Sequence, residues 1–441
     1  MLLGVLLILF FAGFLYLVSR NLLWGLIFIA AFLPAYLIRF EVLGVPFTVL
    51  EGMILITFIV WFLRRYCHFE RASKRVEKSL NNRERDSSTP LRSTRNDSKT
   101  EWFLAVGLFL LAATVAVFVS PNLRAALGIW KAYFIEPALF FLVLVTTVKN
   151  RDEAEKIIWG LVLGSLPMAI LAVIQKFTGW LIPNPFWAAE ATRRVTSVFG
   201  YPNAVALYLA PILPFAFYFM EHGTWNMEHK IWKRSFMLCV IFFMLLAIIF
   251  AQSTGAILAL AVVAAITGLV YKRIRYWVIG AVVLFFLIIP FTSFREPLSQ
   301  EVFLRGRSGQ IRLAMWGETV EMLRAHPIFG AGLAGYQSAV GSYHILNWAE
   351  IYLYPHNLFL NFWTETGVFG LVSFLWLVVL FFKLGFRKLS GIWEATKINK
   401  RLIAALMASM TIILVHGFVD VPYFKNDLSV MFWIFLGLAL V

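Results

Sequence analysis

Leu358–Phe382 reads LFLNFWTETGVFGLVSFLWLVVLFF, twenty-five residues with a single ionisable side chain, Glu365. About 20 apolar residues in helical conformation span the hydrocarbon core of a bilayer. A membrane β-strand would instead show about ten residues of alternating polarity, and no such alternation interrupts this run. Comparable runs lie near 1–18, 21–38, 42–63, 102–119, 127–148, 157–178, 204–220, 236–252, 256–271, 276–292, 402–419 and 429–441. The first three and the last carry the weakest patterns. The expected fold is an all-α polytopic membrane protein of about 12 transmembrane helices, with a large exoplasmic (periplasmic) loop containing an amphipathic helix.

Composition agrees. Of 441 residues, 61% are hydrophobic and 14% charged, against roughly 45–50% and 25% in soluble domains. A mean hydropathy of +0.79 excludes an ordinary water-soluble enzyme. The two cysteines, Cys67 and Cys239, provide no disulfide framework and no metal cluster. Met1 leads straight into an apolar run without a basic leader, which predicts a retained helix and not a cleaved signal.

The net charge of +15 suggests nucleic acid on a soluble chain, but on a membrane chain it first reports topology. Residues 64–101 are Ser/Asn/Arg-rich, hold eleven Lys+Arg and lack apolar periodicity, so a disordered cytoplasmic linker is expected. Placing it inside also puts 149–156, 221–235, 272–275 and 383–401 inside, and with Arg20 accounts for 27 of the 39 basic residues. The expected organisation is therefore N-terminal helices at 1–63, the linker at 64–101, central helices at 102–292 with an outer loop at 179–203, a large outer loop at 293–357 and C-terminal helices at 358–441.

The large outer loop carries Arg295, Arg305, Arg307, Arg312 and Arg324 and no lysine, and the shorter outer loop adds Arg193 and Arg194. Topology opposes basic residues on that side, so their presence asks for another cause. Guanidinium groups are always charged and present planar donors suited to phosphate, which points to an anionic, lipid-linked phosphate or diphosphate substrate. Pairing with Glu296, Glu301, Glu318 and Glu321, or with lipid headgroups, is the other reading. Within this loop, Gln310–Ala325 places Ile311, Met315, Val320, Met322 and Leu323 in a pattern compatible with an amphipathic helix.

Among seven histidines, His356 opens the long span of Leu358–Phe382. A partly desolvated imidazole there could accept a proton from a hydroxyl, or simply cap or pack the helix. His416 sits beside Asp420, where pairing is the simpler role. The acids Glu51, Glu136, Glu365 and Asp420 lie in or next to apolar runs, and such groups are functional candidates or partners of a basic residue. No nucleotide-binding Walker loop, zinc-binding His-Glu-x-x-His, nucleophile elbow or Asp-x-Asp motif occurs. No metal and no cofactor is expected, and the energy for a reaction must come from an activated substrate or a gradient.

Four motifs stand in order. Arg194-Val-Thr-Ser-Val-Phe-Gly-Tyr-Pro-Asn203-Ala204 comes first, then Arg312-Leu-Ala-Met-Trp316 with His326-Pro-Ile-Phe-Gly330-Ala-Gly332. His356-Asn357, nine residues and Gly367-Val-Phe-Gly370 follow, and His416-Gly-Phe-Val-Asp420-Val-Pro422 closes the series. Their order and spacing over roughly 190–430 resemble the O-antigen ligase and polymerase family of bacterial envelope enzymes. The first 190 residues match only as a series of spans, and the 64–101 linker is an insertion relative to the pattern.

The resemblance implies a metal-independent, inverting glycosyltransferase of the inner (cytoplasmic) membrane with its active site on the periplasmic side. Its donor would be an undecaprenyl-diphosphate-linked glycan, its acceptor lipid A–core or another glycan, and its surroundings membrane lipids; no nucleic acid is involved. By the same resemblance His356 activates the acceptor hydroxyl, and Arg194 and Arg312 bind the donor diphosphate. Arg193, Arg305, Arg307 and Asn357 are nearby candidates for substrate binding. A ligase, a polymerase and a protein O-glycosyltransferase share these motifs. A transporter or flippase for an anionic lipid-linked sugar is the alternative from another class, and it predicts internal repeats with midplane acids; no such repeat is visible.

Overall fold

The computed structural model describes residues 2–42, 44–80, 97–222, 230–270, 275–280, 300, 304–346, 348, 350–391 and 400–441. Among these, six helices are long and apolar enough to cross a membrane: Thr100–Val119, Leu123–Thr147, Arg151–Thr178, Pro202–Glu221, Ile231–Phe250 and Leu358–Ser390. Shorter apolar helices at Gly4–Arg20, Leu22–Ala31, Thr254–Val270 and Asn426–Leu440 pack with them. Most of the expected span near 276–292 lies outside the described residues, as does Arg295.

The bundle is assembled around the last helix. Asn426–Leu440 is buried from Asp427 to Ala439, as an all-round apolar helix must be. It packs on Glu136–Thr147, and Phe432 and Trp433 reach Phe374, Phe109 and Phe141. The helix Leu358–Ser390 lies along Asp97–Val119, and Lys400–His416 lies along Thr254–Val270. Large apolar side chains such as Ile8, Phe118, Ile231 and Val379 face outward, the surface of a chain that meets lipid.

Three expectations change. Within the helical class, the run expected at 42–63 opens on a hairpin, in which Arg39–Val42 pairs antiparallel with Val45–Thr48. Gly44 turns with φ +79°, and the next helix begins only at Val49. Its start is a reciprocal capping box, in which Glu51 N–H donates to Thr48 Oγ1 at 3.2 Å and Thr48 N–H donates to Glu51 Oε2 at 2.8 Å. Glu51 also meets Lys131 at 3.2 Å, so this acid organises local structure. The linker expected from Arg64 is helical at both ends, since one helix runs to Leu80 and the next starts at Asp97. Residues 81–96 lie outside the described residues.

The third change is that several expected straight spans are broken. Pro137 lacks the N–H that would meet Tyr133 O, a π-turn spans Trp130–Ile135, and Tyr423 Oη donates to that freed carbonyl at 2.8 Å. The run at 204–220 is interrupted between Leu209 and Leu213, where Pro211 and Pro214 lack donors. The helix Leu358–Ser390 is broken at Gly367, whose φ is +70° and ψ 179°. A Cβ there would lie 2.3 Å from Ile328 O, so only glycine fits.

Candidate functional site

The break at Gly367 is where the large loop docks. Val368 N–H donates to Ile328 O at 3.0 Å, and Ala331 N–H donates to Thr364 O at 2.7 Å. Glu365 Oε2 accepts from Ala334 N–H at 2.6 Å. Irregular backbone between spans is thus satisfied inside the protein. This is the part that the second and third sequence motifs play: Gly330 and Gly367 permit the close approach, and Glu365 holds it.

The expected helix at Gln310–Ala325 is observed at Arg307–Ala325. Met315, Met322 and Leu323 are buried as expected, Ile311 is half-buried, and Val320 is exposed. Glu318 occupies the buried face, accepting from Ile345 N–H at 2.9 Å and pairing with His344 Nδ1 at 3.2 Å. Trp316 Nε1 donates to Pro355 O at 2.9 Å, tying the helix to the residue before His356.

His356 sits at φ +47°, in the left-handed region that only a few per cent of non-glycine residues occupy. The strain is held by its neighbours. Asn357 Oδ1 caps the following helix by accepting from Phe359 and Leu360 N–H, each at 3.0 Å, while its Nδ2 donates to Phe418 O at 3.1 Å. Leu358 N–H donates to Gly417 O at 2.7 Å. Through these bonds Asn357 fixes His356 against the loop after His416. The rings of Tyr352 and Tyr354 stand edge-on to the imidazole, with centroids at 5.4 and 5.1 Å.

His356 Nδ1 lies 3.4 Å from Asp420 Oδ1, and among the described residues no side chain or backbone group bonds Nε2. Asp420 is fully buried. It accepts from Asn203 Nδ2 at 3.0 Å and from Val421 N–H at 2.9 Å. Burial disfavours its charge, but the hydrogen bond from His356, the fields of His356 and His416 and the Val421 N–H outweigh this and hold its carboxyl well below the usual range.

The sequence marks Asp420 as a functional candidate or pairing acid without joining it to His356, and it does not single out Asn203. Both lie in motifs it quoted, and the signal was a carboxylate at a span end on the same side as His356.

The arginines expected at or near the substrate differ. Arg194 reaches this network through Asn203, to whose Oδ1 its Nη2 donates at 3.1 Å. Its other donors go to Ala251 O and Gln252 O, at 2.9–3.1 Å, beyond the end of the helix Lys230–Phe250. Arg193 donates to Lys176 O, Phe177 O and Ala188 O at 3.0–3.3 Å, closing the helix Arg151–Thr178. Arg312 gives one hydrogen bond, from Nη1 to Ser308 Oγ at 2.9 Å. Its Nε is buried without a partner among the described residues, and its charge is within electrostatic reach of the His416 ring. Arg305 and Arg307 are exposed at the start of this helix, Arg307 lying 5.4 Å from the Trp348 ring.

His356, Asp420, Asn203 and Arg194 therefore form one hydrogen-bonded chain, and His416 is within electrostatic reach of both Asp420 and Arg312. Among the described residues no group of three or more His, Cys, Asp or Glu could hold a metal ion. Such a site can hold an imidazole in one tautomer, present its free nitrogen to a hydroxyl, and set a guanidinium against an anion. No curated protein matches the chain significantly. Residues 239–375, which include Arg312, His356 and Gly367, match the family model described as O-antigen ligase, so this part of the chain is similar to that family.

Proposed function

We propose that the protein transfers a glycan from an undecaprenyl-diphosphate carrier to an acceptor hydroxyl, with lipid A–core as the simplest acceptor, at the periplasmic face of the inner membrane. The observations that carry this are the His356–Asp420 pair and a buried, unpartnered Arg312 Nε whose charge is within electrostatic reach of His416. Asp420 accepts from His356 Nδ1–H and leaves Nε2 as the base. The acceptor O–H proton passes to Nε2 as its oxygen attacks the anomeric carbon from the face opposite the carrier. The anomeric C–O bond breaks, its electron pair stays on the diphosphate, and the configuration inverts. Arg312 faces the developing phosphate charge, and a fixed guanidinium does more there than a mobile counter-ion.

Arg194 is better supported as the residue that sets Asn203, and through it Asp420, than as a direct phosphate ligand. Arg193, Arg305 and Arg307 stay outside this core. A polymerase or a protein O-glycosyltransferase would use the same groups with another acceptor, and no observation favours either. The match to the ligase model supports transfer over transport.

The test is purified protein in lipid nanodiscs with an undecaprenyl-diphosphate glycan and separate lipid A–core, glycan and protein acceptors, without nucleotide or added metal. Inverted glycoside on lipid A–core is the expected product. Absence of transfer to every acceptor, with translocation of the donor instead, would sink the reading.

A further inference from the structure

A cationic cleft lies at the opposite end of the bundle from the His356 site. The helix Arg151–Thr178 begins beside it, and Arg193 closes the far end of that helix by donating to Lys176 O and Phe177 O. Its 28 residues at 1.5 Å each separate the two ends by about 40 Å, more than the thickness of the hydrocarbon core. The cleft has a volume of about 760 Å³, within the range of ligand sites. Its walls come from three separate pieces of chain. These are the junction of the first two helices at Asn21, the helix Val49–Leu80 between Trp61 and Arg65, and the connection from Thr146 to Lys149.

Topology alone would scatter basic residues over this face, but Arg64, Arg65 and Lys149 converge on one cleft. Arg64 Nη2 donates to Ser19 O at the end of the first helix. Trp61 Nε1 donates to Thr146 Oγ1 at 2.9 Å, which fixes the indole across the gap, and the Arg65 guanidinium lies 5.6 Å from its ring centroid. The one acid in the wall, Glu153, is occupied in capping the helix. Its Oε2 accepts from Lys149 N–H at 2.7 Å, and its own N–H donates to Asn150 Oδ1 at 3.0 Å. No described acidic side chain pairs with Arg65 or Lys149, so the cleft holds positive charge in excess.

The cleft also opens where lipid meets water. Ile59, Phe62 and Leu63, just before the arginines, are exposed apolar side chains, and Trp24 and Tyr66 are exposed aromatics close by in the chain. Trp and Tyr concentrate at the headgroup level of a bilayer. A ligand that suits both surfaces has an anionic head and apolar tails.

We propose that this cleft binds the phosphate head of an anionic glycerophospholipid, which bridges the first two helices to the connection at Thr146–Lys149. The arginines present planar donors to the phosphate oxygens, and Lys149 adds a mobile point charge on a long stem. The cleft binds this head whether or not the His356 site transfers a glycan.

Native mass spectrometry of the full chain, titrated with phosphatidylglycerol and with phosphatidylcholine, tests the site. The wild-type protein should prefer phosphatidylglycerol by at least about tenfold, the size of a charge-assisted contact. Arg65→Gln/Lys149→Gln should erase that preference. Both side chains are exposed, so this variant should melt as wild type does in phosphatidylcholine nanodiscs. Lys156→Gln/Arg387→Gln removes two exposed charges at the same end of the bundle but outside the cleft, and should keep the preference. No preference in the wild-type protein, an undiminished one in Arg65→Gln/Lys149→Gln, or equal loss in the two double variants would overturn the site. Displacement of the lipid by an equal concentration of soluble glycerol 3-phosphate would assign the cleft to a free phosphate ester and overturn the lipid.

Discussion

Arg193 and Arg194, on the loop after Thr178, and Arg312, on the helix Arg307–Ala325, are the same residue type on the same expected side of the membrane. The structure gives them opposite circumstances. The two neighbours turn their donors to carbonyls at the ends of two helices, whereas Arg312 keeps a buried Nε without a partner. An arginine whose fork is filled by carbonyls stabilises the fold, whereas a buried open donor leaves Arg312 the one of the three that the proposed transfer can use toward an anion. Composition identified the set; only the hydrogen bonds divide it.

The division can be broken by substitution. Arg312→Gln should lower turnover by about 10²–10³-fold, as loss of one transition-state donor does, while the melting temperature stays near wild type. Arg312→Lys should also lose most activity, since a point charge cannot reproduce the fork; full activity in the lysine variant would return Arg312 to a headgroup-anchoring role. Gly367→Ala should destabilise by about 1–3 kcal/mol, because it forces a Cβ into a left-handed position and onto Ile328 O. Activity should fall with it, since that break docks the loop carrying Arg312; calorimetry and turnover on one preparation check both.

Arg193→Gln should do the reverse of Arg312→Gln. It should cost about 1–2 kcal/mol in stability through a lost helix closure and leave the rate per folded molecule unchanged, and a selective loss of rate would blur the comparison.

A last effect concerns pH. Asp420 has its native pKa depressed, so its contribution to stability is fully present above the unfolded carboxylate value of about 4 and is lost as pH falls below that toward the native value. The stability gap between wild type and Asp420→Asn, about 1–3 kcal/mol at neutrality, should therefore close on acidification. Melting curves between neutral and strongly acidic pH measure it. A gap that stays constant would mean that Asp420 does not act through its charge.

Much of this was legible in the chain. Apolar runs of span length gave the helices, because helical burial in lipid is a local property of composition. The motif order gave His356, Arg312, Gly330 and Gly367. The interruptions at Pro137 and Pro211 were harder, since apolar content hides a missing donor. The hairpin at Arg39–Thr48 was missed because Val42, Val45 and Phe47 are as apolar as a span. The pairing of Asp420 with His356 was harder for a different reason: it depends on contacts across 64 residues to His356 and more than two hundred to Asn203, which no periodicity encodes, although a carboxylate at a span end was visible.

The most direct test of the account is the single-turnover rate of glycan transfer in His356→Ala, measured with saturating donor and with donor affinity determined separately. The predicted result is a fall of about 10²–10⁴-fold in rate, the range for loss of a general base, with donor affinity and melting temperature unchanged. Transfer at the wild-type rate in that variant would contradict it.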